Sequence, residues 1–177
     1  QHARAPARRG ADGGAVRLED QDRRRWDRAL IAEGLALLEQ ATRRGEPGPY
    51  QLQAAIAAHH DAAPDFGATD WSAIERCYQY LEQLQPSPVV TLNRAVVVAR
   101  LRGAAAGLAL VEPLAARLDG YFHFHVVRAD LEERLGHGAA ARAAFERALA
   151  LAPTALEGAE VGRRLQRLAA AAPHSAR

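Results

Sequence analysis

Residues 129–153 read ADLEERLGHGAAARAAFERALALAP, the clearest structural pattern in the chain. Apolar residues recur at steps of three and four on both sides of Gly136, as in two amphipathic helices joined by a turn. Ala129 and Ala141 are small enough to let the two helices approach closely. Phe145 is large enough to fill the gap to a following unit, and the final proline prevents the second helix from continuing. The stretch therefore predicts a helical hairpin.

A weaker copy of this hairpin lies 34 residues earlier. Gly107 stands in that copy where Ala141 stands in the better one. A 34-residue period is that of the tetratricopeptide unit, a pair of antiparallel helices that buries a face only by stacking on neighbours. We predict tetratricopeptide-like repeats over residues 86–170, including a C-terminal capping helix. The positions that coincide after the shift are Leu92 with Val126, Arg94-Ala95 with Arg128-Ala129, Leu101 with Leu135, and Val111 with Phe145.

Glycine and proline divide the rest of the chain into further helices, and no segment reads as a credible strand. The predicted fold is all-α, with about eight helices arranged as stacked antiparallel hairpins. We expect a flexible lead-in over residues 1–18, N-terminal helical hairpins over 19–85 and a frayed tail over 171–177. The first helix is predicted from about Asp20 to Arg44. It carries a stripe that we expect to be buried, formed by Trp26, Leu30, Gly34, Leu37, Leu38 and Ala41.

Composition argues against several functional classes. The 23 basic residues are all arginine and are nearly balanced by 21 acids, so the net charge is only +2. DNA binding by this segment alone is not predicted, because neutralising phosphates requires clustered positive charge. Cys77 is the only cysteine and no apolar run could span a bilayer, so we expect a cytoplasmic protein without a membrane segment. The chain begins with Gln1, and we expect it to be part of a larger bacterial protein.

Histidine and cysteine offer only weak candidates for chemistry. His59 and His60 are adjacent, and His123 and His125 are two apart, so each pair would point to different faces of a helix. Cys77 lies on the apolar stripe of its helix, where a thiol is usually inert. No phosphate-binding loop, dinucleotide turn or hydrolase motif occurs. We predict no catalytic residue, no bound metal, no cofactor and no enzymatic activity.

The repeat instead predicts a surface for a partner. In tetratricopeptide units the first helix of each pair lines a concave groove, which could hold a peptide or a neighbouring domain of the same chain. The better copy offers mixed apolar and charged residues, and the weaker copy offers apolar ones. The predicted partner-binding residues are His123, Val126, Asp130, Glu133 and Arg134, with Val89, Leu92 and Val96 from the weaker copy.

Several strings resemble one protein family. They are LEDQD at 18–22, RWD at 25–27, LIAEG at 30–34, GPYQLQAAIAA at 48–58, TDW at 69–71, PSPVV at 86–90 and LNRAV at 92–96. Together they resemble the C-terminal extension of a group of bacterial extracytoplasmic-function RNA polymerase sigma factors. The motif residues are Trp26, Asp27, Glu33, Gly34, Pro49, Tyr50, Gln51, Gln53, Asp70, Trp71, Pro88, Asn93 and Arg94. The chain departs from the family at His60, where cysteine is expected, and at Gly103-Ala104, where Gly-Pro is usual.

The resemblance implies a tetratricopeptide-like regulatory domain that acts in transcription initiation through its parent protein. Neither promoter-binding sigma domain has a counterpart in this chain. The implied partners are the sigma domains of the same parent chain, RNA polymerase, or a regulatory protein or peptide. The alternative function is a free-standing tetratricopeptide-like scaffold that binds a peptide or partner protein, and a small helical enzyme is the third.

Overall fold

The computed structural model describes residues 2–10, 14, 16–45 and 47–171, and these residues form helices without a β-strand. The predicted all-α fold is therefore confirmed. Nine α-helices are present in the described part of the chain, because Pro113 interrupts one predicted helix with a 3-10 turn at Glu112–Leu114. The helices are α1 Arg28–Thr42, α2 Pro49–Ala62, α3 Trp71–Leu84, α4 Pro88–Arg102, α5 Ala104–Val111, α6 Ala115–Leu118, α7 Phe122–Arg134, α8 Gly138–Ala150 and α9 Ala155–Ala171.

The chain divides into two compact units between Val90 and Thr91, within the first turn of α4. The sequence places a boundary slightly earlier, between residues 85 and 86, where prolines mark the start of a helix. The two boundaries differ because a proline marks where a helix begins, whereas a compact unit ends where its residues cease to pack together. The frayed tail predicted for 171–177 lies outside the described residues, apart from Ala171 at the end of α9.

The first unit contains α1, α2 and α3, with α2 in contact with both of the others. Two aspartates fix helix starts: the Asp27 side chain accepts from the amides of Ala29 and Leu30, and the Asp70 side chain accepts from that of Ala73. Such capping satisfies amide groups that have no partner within the helix. The buried core side chains on α2 and α3 include Leu52, Ile56, Ile74 and Leu81.

The lead-in and first helix differ from the prediction. The described part of residues 1–18 includes a 3-10 turn at His2–Ala7, which packs through Ala3 and Ala7 against Trp26 and Ile31. The first α-helix begins at Arg28 rather than near residue 20, because Trp26 is in an extended conformation and Asp27 caps the helix. Trp26 is buried as predicted, but against the N-terminal segment rather than as part of a helical stripe.

The prediction that one apolar stripe of α1 is buried is wrong. Ile31 is the only fully buried residue of this helix, whereas Leu30 and Leu37 retain 45% and 58% of their accessible surface. Leu38 and Ala41 are half-buried, and Gly34 is exposed. Helical periodicity identifies an apolar face but not the element that covers it. Among the described residues of the first unit, none covers Leu30 or Leu37.

The second unit contains the predicted repeat. Ala95 on α4 and Ala129 on α7 occupy equivalent positions, and both are fully buried. Gly107 on α5 must be glycine, since a Cβ there would lie 2.5 Å from Ala99 Cβ and 2.8 Å from the carbonyl oxygen of Ala95. Its counterpart Ala141 is also fully buried, so a close helix approach explains the small residue in both copies.

The last hairpin and α9 share one core. Phe145 and Ala148 of α8 pack with Phe122 and Ala129 of α7 and with Val161 of α9. The turn that joins α7 to α8 contains Gly136 at φ +78°, a left-handed conformation that glycine adopts without strain. The helix that the sequence predicts as a cap therefore contributes side chains to the core of the second repeat.

Candidate interaction surface

The predicted groove residues on α4 have different environments. Val96 is exposed, as a binding residue must be. Leu92 retains only 1% of its accessible surface and is part of the core, so its assignment to a binding surface is wrong. The register places Leu92 on the correct helix, but the side chain points into the packing between helices. Val89 is half-buried and precedes the boundary between the two units.

The predicted residues on α7 also divide into exposed and packed side chains. His123 is exposed, with its ring edge against Tyr121 and Phe122 at centroid distances of 5.4 and 5.0 Å. Val126 is half-buried and packs against the shared core of α7, α8 and α9. Arg134 is exposed, and its Nη2 donates to the carbonyl oxygen of Ala99 at 3.0 Å. This bond joins the last turn of α7 to α4.

Asp130 and Glu133 are half-buried, and both accept hydrogen bonds from Arg164 of α9. Arg164 Nη2 lies 2.8 Å from Asp130 Oδ1 and 2.7 Å from Glu133 Oε2. The guanidinium also lies over the ring of Phe145, 4.6 Å from its centroid. The two acids therefore hold α9 against α7, a contact that the sequence does not predict.

The protonation of Arg164 is fixed by this arrangement. Its side chain retains only 13% of its accessible surface. Burial alone would lower the pKa of Arg164, but the hydrogen bonds to Asp130 and Glu133 raise the pKa above its ordinary value. A charged guanidinium that is hydrogen-bonded to two carboxylates and stacked on an aromatic ring is a stable contact between helices.

Sequence reasoning missed Arg164, although the repeat period could have identified it. Val96, Asp130 and Arg164 are spaced by 34 residues, so α9 continues the series of first helices formed by α4 and α7. Because α9 is interpreted from the sequence as a capping helix, it lies outside the two predicted copies of the 34-residue repeat. We define the α4–α7–α9 face as the exposed and half-buried residues Val96, His123, Asp130, Glu133, Arg134 and Arg164.

A double substitution tests the Arg164 contact. Asp130→Ala with Glu133→Ala is expected to lower the free energy of unfolding by about 1–2 kcal/mol, because the half-buried guanidinium loses both carboxylates. Urea denaturation followed by circular dichroism measures this change. Glu146→Ala, at an exposed acid on α8, is the control and is expected to change stability by less than about 0.5 kcal/mol. Equal stability of the two variants would contradict the contact.

The histidines of α7 diverge as the sequence predicts. His123 is exposed, whereas His125 is buried and its Nε2 donates to the carbonyl oxygen of Asp119 at 2.7 Å. Asp119 also accepts from Arg147 Nη2 at 2.9 Å. These contacts give His125 a structural explanation, and no cluster of His, Cys, Asp or Glu in the described residues could hold a metal ion.

A buried polar cluster occupies the first unit. Arg23 Nη1 donates to the carbonyl oxygens of His60 at 2.6 Å and Ala63 at 2.7 Å, where α2 ends. Its guanidinium lies over the Trp26 ring, 4.6 Å from the centroid. Arg4 is also buried, and its Nε is 3.6 Å from Asp61 Oδ1. Arg23 thus caps the C-terminus of α2 with a cation, where the helix dipole favours positive charge.

Burial determines the protonation state of two side chains in the first unit. Burial, together with the nearby cations of Arg4 and Arg23, lowers the pKa of His60 to about 4, so this imidazole is neutral at pH 7. Burial raises the pKa of the Cys77 thiol, which therefore is not present as a reactive thiolate at neutral pH. Both groups are therefore uncharged at neutral pH.

Many of the motif residues that carry the sequence resemblance have structural roles. Trp26 is buried, Pro49 and Pro88 begin helices, and Trp71 makes edge contacts with Phe66 and His60. Asp27 and Asp70 cap helices, and Gln51 donates to Thr42 at 3.3 Å. Of the remaining motif residues, Arg94 is half-buried. The exposed ones are Glu33, Gly34, Tyr50, Gln53 and Asn93.

Comparison with known sequences identifies a family match and a long relative. Residues 1–42 match a family of unknown function, DUF6596. An uncharacterized protein of Rhizobium meliloti (strain 1021) is 55% identical over 170 residues, which is 96% of this chain. The chain spans 40% of the length of that relative.

Comparison with solved structures identifies the fold. The first TPR of Spaghetti (RPAP3), bound to the HSP90 peptide SRMEEVD, matches with a TM-score of 0.52 and 23% identity, covering 60% of this chain and 85% of that one. The first TPR domain of the human RPAP3 protein, determined by NMR, matches with a TM-score of 0.54 and 22% identity, covering 70% and 95%. The chain therefore has a tetratricopeptide-like helical fold. None of its described helices is long and apolar enough to cross a membrane.

Proposed function

We propose that this chain is a protein-interaction module without catalysis of its own, and that the α4–α7–α9 face binds its partner. The observation that carries the proposal is the 34-residue series Val96, Asp130 and Arg164, which places three successive first helices in one register. Arg134 joins α7 to α4, and Arg164 joins α9 to α7. Hydrogen bonds thus join the three helices, and Val96 and His123 are exposed on this face.

The tetratricopeptide-like fold supports a peptide or a protein as the ligand. One tetratricopeptide domain of similar structure is bound to an HSP90 peptide, although at 23% identity this similarity concerns the fold alone. On this face the acids Asp130 and Glu133 are already neutralised by Arg164. The exposed apolar and aromatic side chains, rather than a free carboxylate, therefore supply the recognition that we propose.

We further propose that the partner is the remainder of a longer parent protein that acts in transcription initiation. The strings shared with extracytoplasmic-function sigma factors support this assignment, and the 40% coverage of the Rhizobium relative provides a parent with further sequence. In this proposal the chain is a regulatory domain that docks on the sigma domains or on RNA polymerase. A free-standing scaffold remains the alternative if no such parent region binds.

A titration tests the partner directly. The part of the Rhizobium relative outside the matched region, expressed separately, is added to this chain in a calorimeter. We expect binding with a Kd on the order of 10 μM, because contacts between domains of one chain resemble transient protein interfaces. Val96→Glu with His123→Glu is expected to raise this Kd at least about tenfold, because charge replaces the exposed recognition side chains.

The matched control places the same charges on the second helices of the same hairpins. Ala105→Glu with Ala143→Glu changes two exposed residues of α5 and α8 and is expected to bind like the unmodified chain. Equal loss of binding in both variants would rule out the α4–α7–α9 face. Absence of binding by the unmodified chain would rule out the proposed parent region as the partner. Promoter-dependent transcription by the whole relative with core polymerase tests the transcription role separately.

A further inference from the structure

The exposed face of α1 alternates large and small residues. Leu30 and Leu37 are exposed, Ala41 is half-buried, and a Cβ on Gly34 would meet no atom within 4 Å. These four residues recur at steps of four and three, so they form one stripe along the helix. The stripe therefore has two leucine ridges, a hollow at Gly34 and a small, half-buried side chain at Ala41.

We propose that two copies of this chain associate through antiparallel packing of their α1 helices. An axis between residues 35 and 36 places Leu37 of each copy in the Gly34 hollow of the other. The same axis places Leu30 of each copy over Ala41 of the other. Large side chains then face small ones at every level of the contact, which is the condition for close helix packing.

Charges at the two ends of the stripe agree with the same register. Asp27 precedes the helix and Arg44 follows it, and both are exposed. The proposed axis sets Asp27 of one copy near Arg44 of the other, and this pair occurs twice because the contact is two-fold symmetric. Parallel packing would instead set Leu30 against Leu30 and Asp27 against Asp27. The face is thus complementary to itself only in the antiparallel arrangement.

This association is separate from the proposed partner binding. It involves α1 in the first unit, whereas the α4–α7–α9 face lies in the second unit. A single pair of helices buries less surface than a standard protein interface, so we expect a Kd on the order of 10 μM. Each proposal can therefore fail without the other.

Sedimentation equilibrium between about 1 and about 300 μM tests the association, because this range brackets the expected Kd. The mass is expected to rise with concentration from 19.1 kDa toward twice that value. Leu37→Arg is expected to keep the chain monomeric throughout. The control Ala36→Arg places the same charge on the same helix away from the stripe, and it is expected to associate like the unmodified chain. Circular dichroism confirms that both variants remain helical.

Cross-linking tests the register. In a Cys77→Ala background, Gly34→Cys and Leu37→Cys chains are oxidised separately and as an equal mixture. The antiparallel contact predicts more disulfide dimer in the mixture than in either separate sample, since residue 34 faces residue 37 of the other copy. A mass of 19.1 kDa at every concentration would overturn the proposal. A dimer that persists in Leu37→Arg, or preferential linking of identical chains, would also overturn it.

Discussion

Ala141→Arg is expected to lower the free energy of unfolding of the second unit by about 3–5 kcal/mol. Ala141 has no accessible surface and lies where α8 packs closely against α7. An arginine at this position must either bury an unpaired charge or separate the two helices, and both are costly. The expected result is a lower urea midpoint and reduced helicity by far-ultraviolet circular dichroism.

Ala143→Arg is the matched control for this effect. It adds the same side chain to the same helix two residues away, at an exposed position. Its stability is expected to lie within about 0.5 kcal/mol of the unmodified chain. If Ala141→Arg were equally well tolerated, the close contact between α7 and α8, and with it the tetratricopeptide-like register, would be wrong.

Arg23→Ala is expected to lower the free energy of unfolding of the first unit by about 2–4 kcal/mol. The substitution removes two charge-assisted hydrogen bonds to the last carbonyls of α2 and the contact with the Trp26 ring. The carbonyl oxygens of His60 and Ala63 would then lack the donor that satisfies them. Chemical denaturation, together with the fluorescence of the first unit's tryptophans, measures the loss.

Two further variants separate charge from geometry at this site. Arg25→Ala removes an exposed arginine from the same 3-10 turn and is expected to leave stability nearly unchanged. Arg23→Lys keeps the charge but not the planar guanidinium, and it is expected to recover only part of the lost stability. Full stability of Arg23→Ala would show that the buried cluster does not hold the first unit together.

The recurring helical hairpin could be predicted from local sequence. Ala129, Ala141 and Phe145 are buried as the 34-residue pattern requires, and Gly136 adopts the left-handed conformation of a helix-ending turn. These features depend on interactions within a hairpin or with its immediate neighbour. Periodicity, small residues and glycine positions report such interactions directly.

The candidate site could be predicted only in part. The register places Val96 and His123 on exposed positions of first helices, but it also assigns Leu92, which is buried. Asp130 and Glu133 read as surface acids, yet both bind Arg164. A charged side chain needs a group of opposite charge nearby if it is buried. The sequence does not show which residue supplies that group.

Local sequence predicts the all-helical composition, the start of α4 at Pro88 and the 34-residue repeat. These follow from backbone chemistry and side-chain period, which act over a few residues. Tertiary packing, in contrast, determines that the N-terminal segment covers Trp26, that Arg164 of α9 binds the acids of α7, and that Leu30 and Leu37 of α1 are exposed. Burial and ion pairing depend on which distant segment packs against a face, and helical period carries no information about that choice.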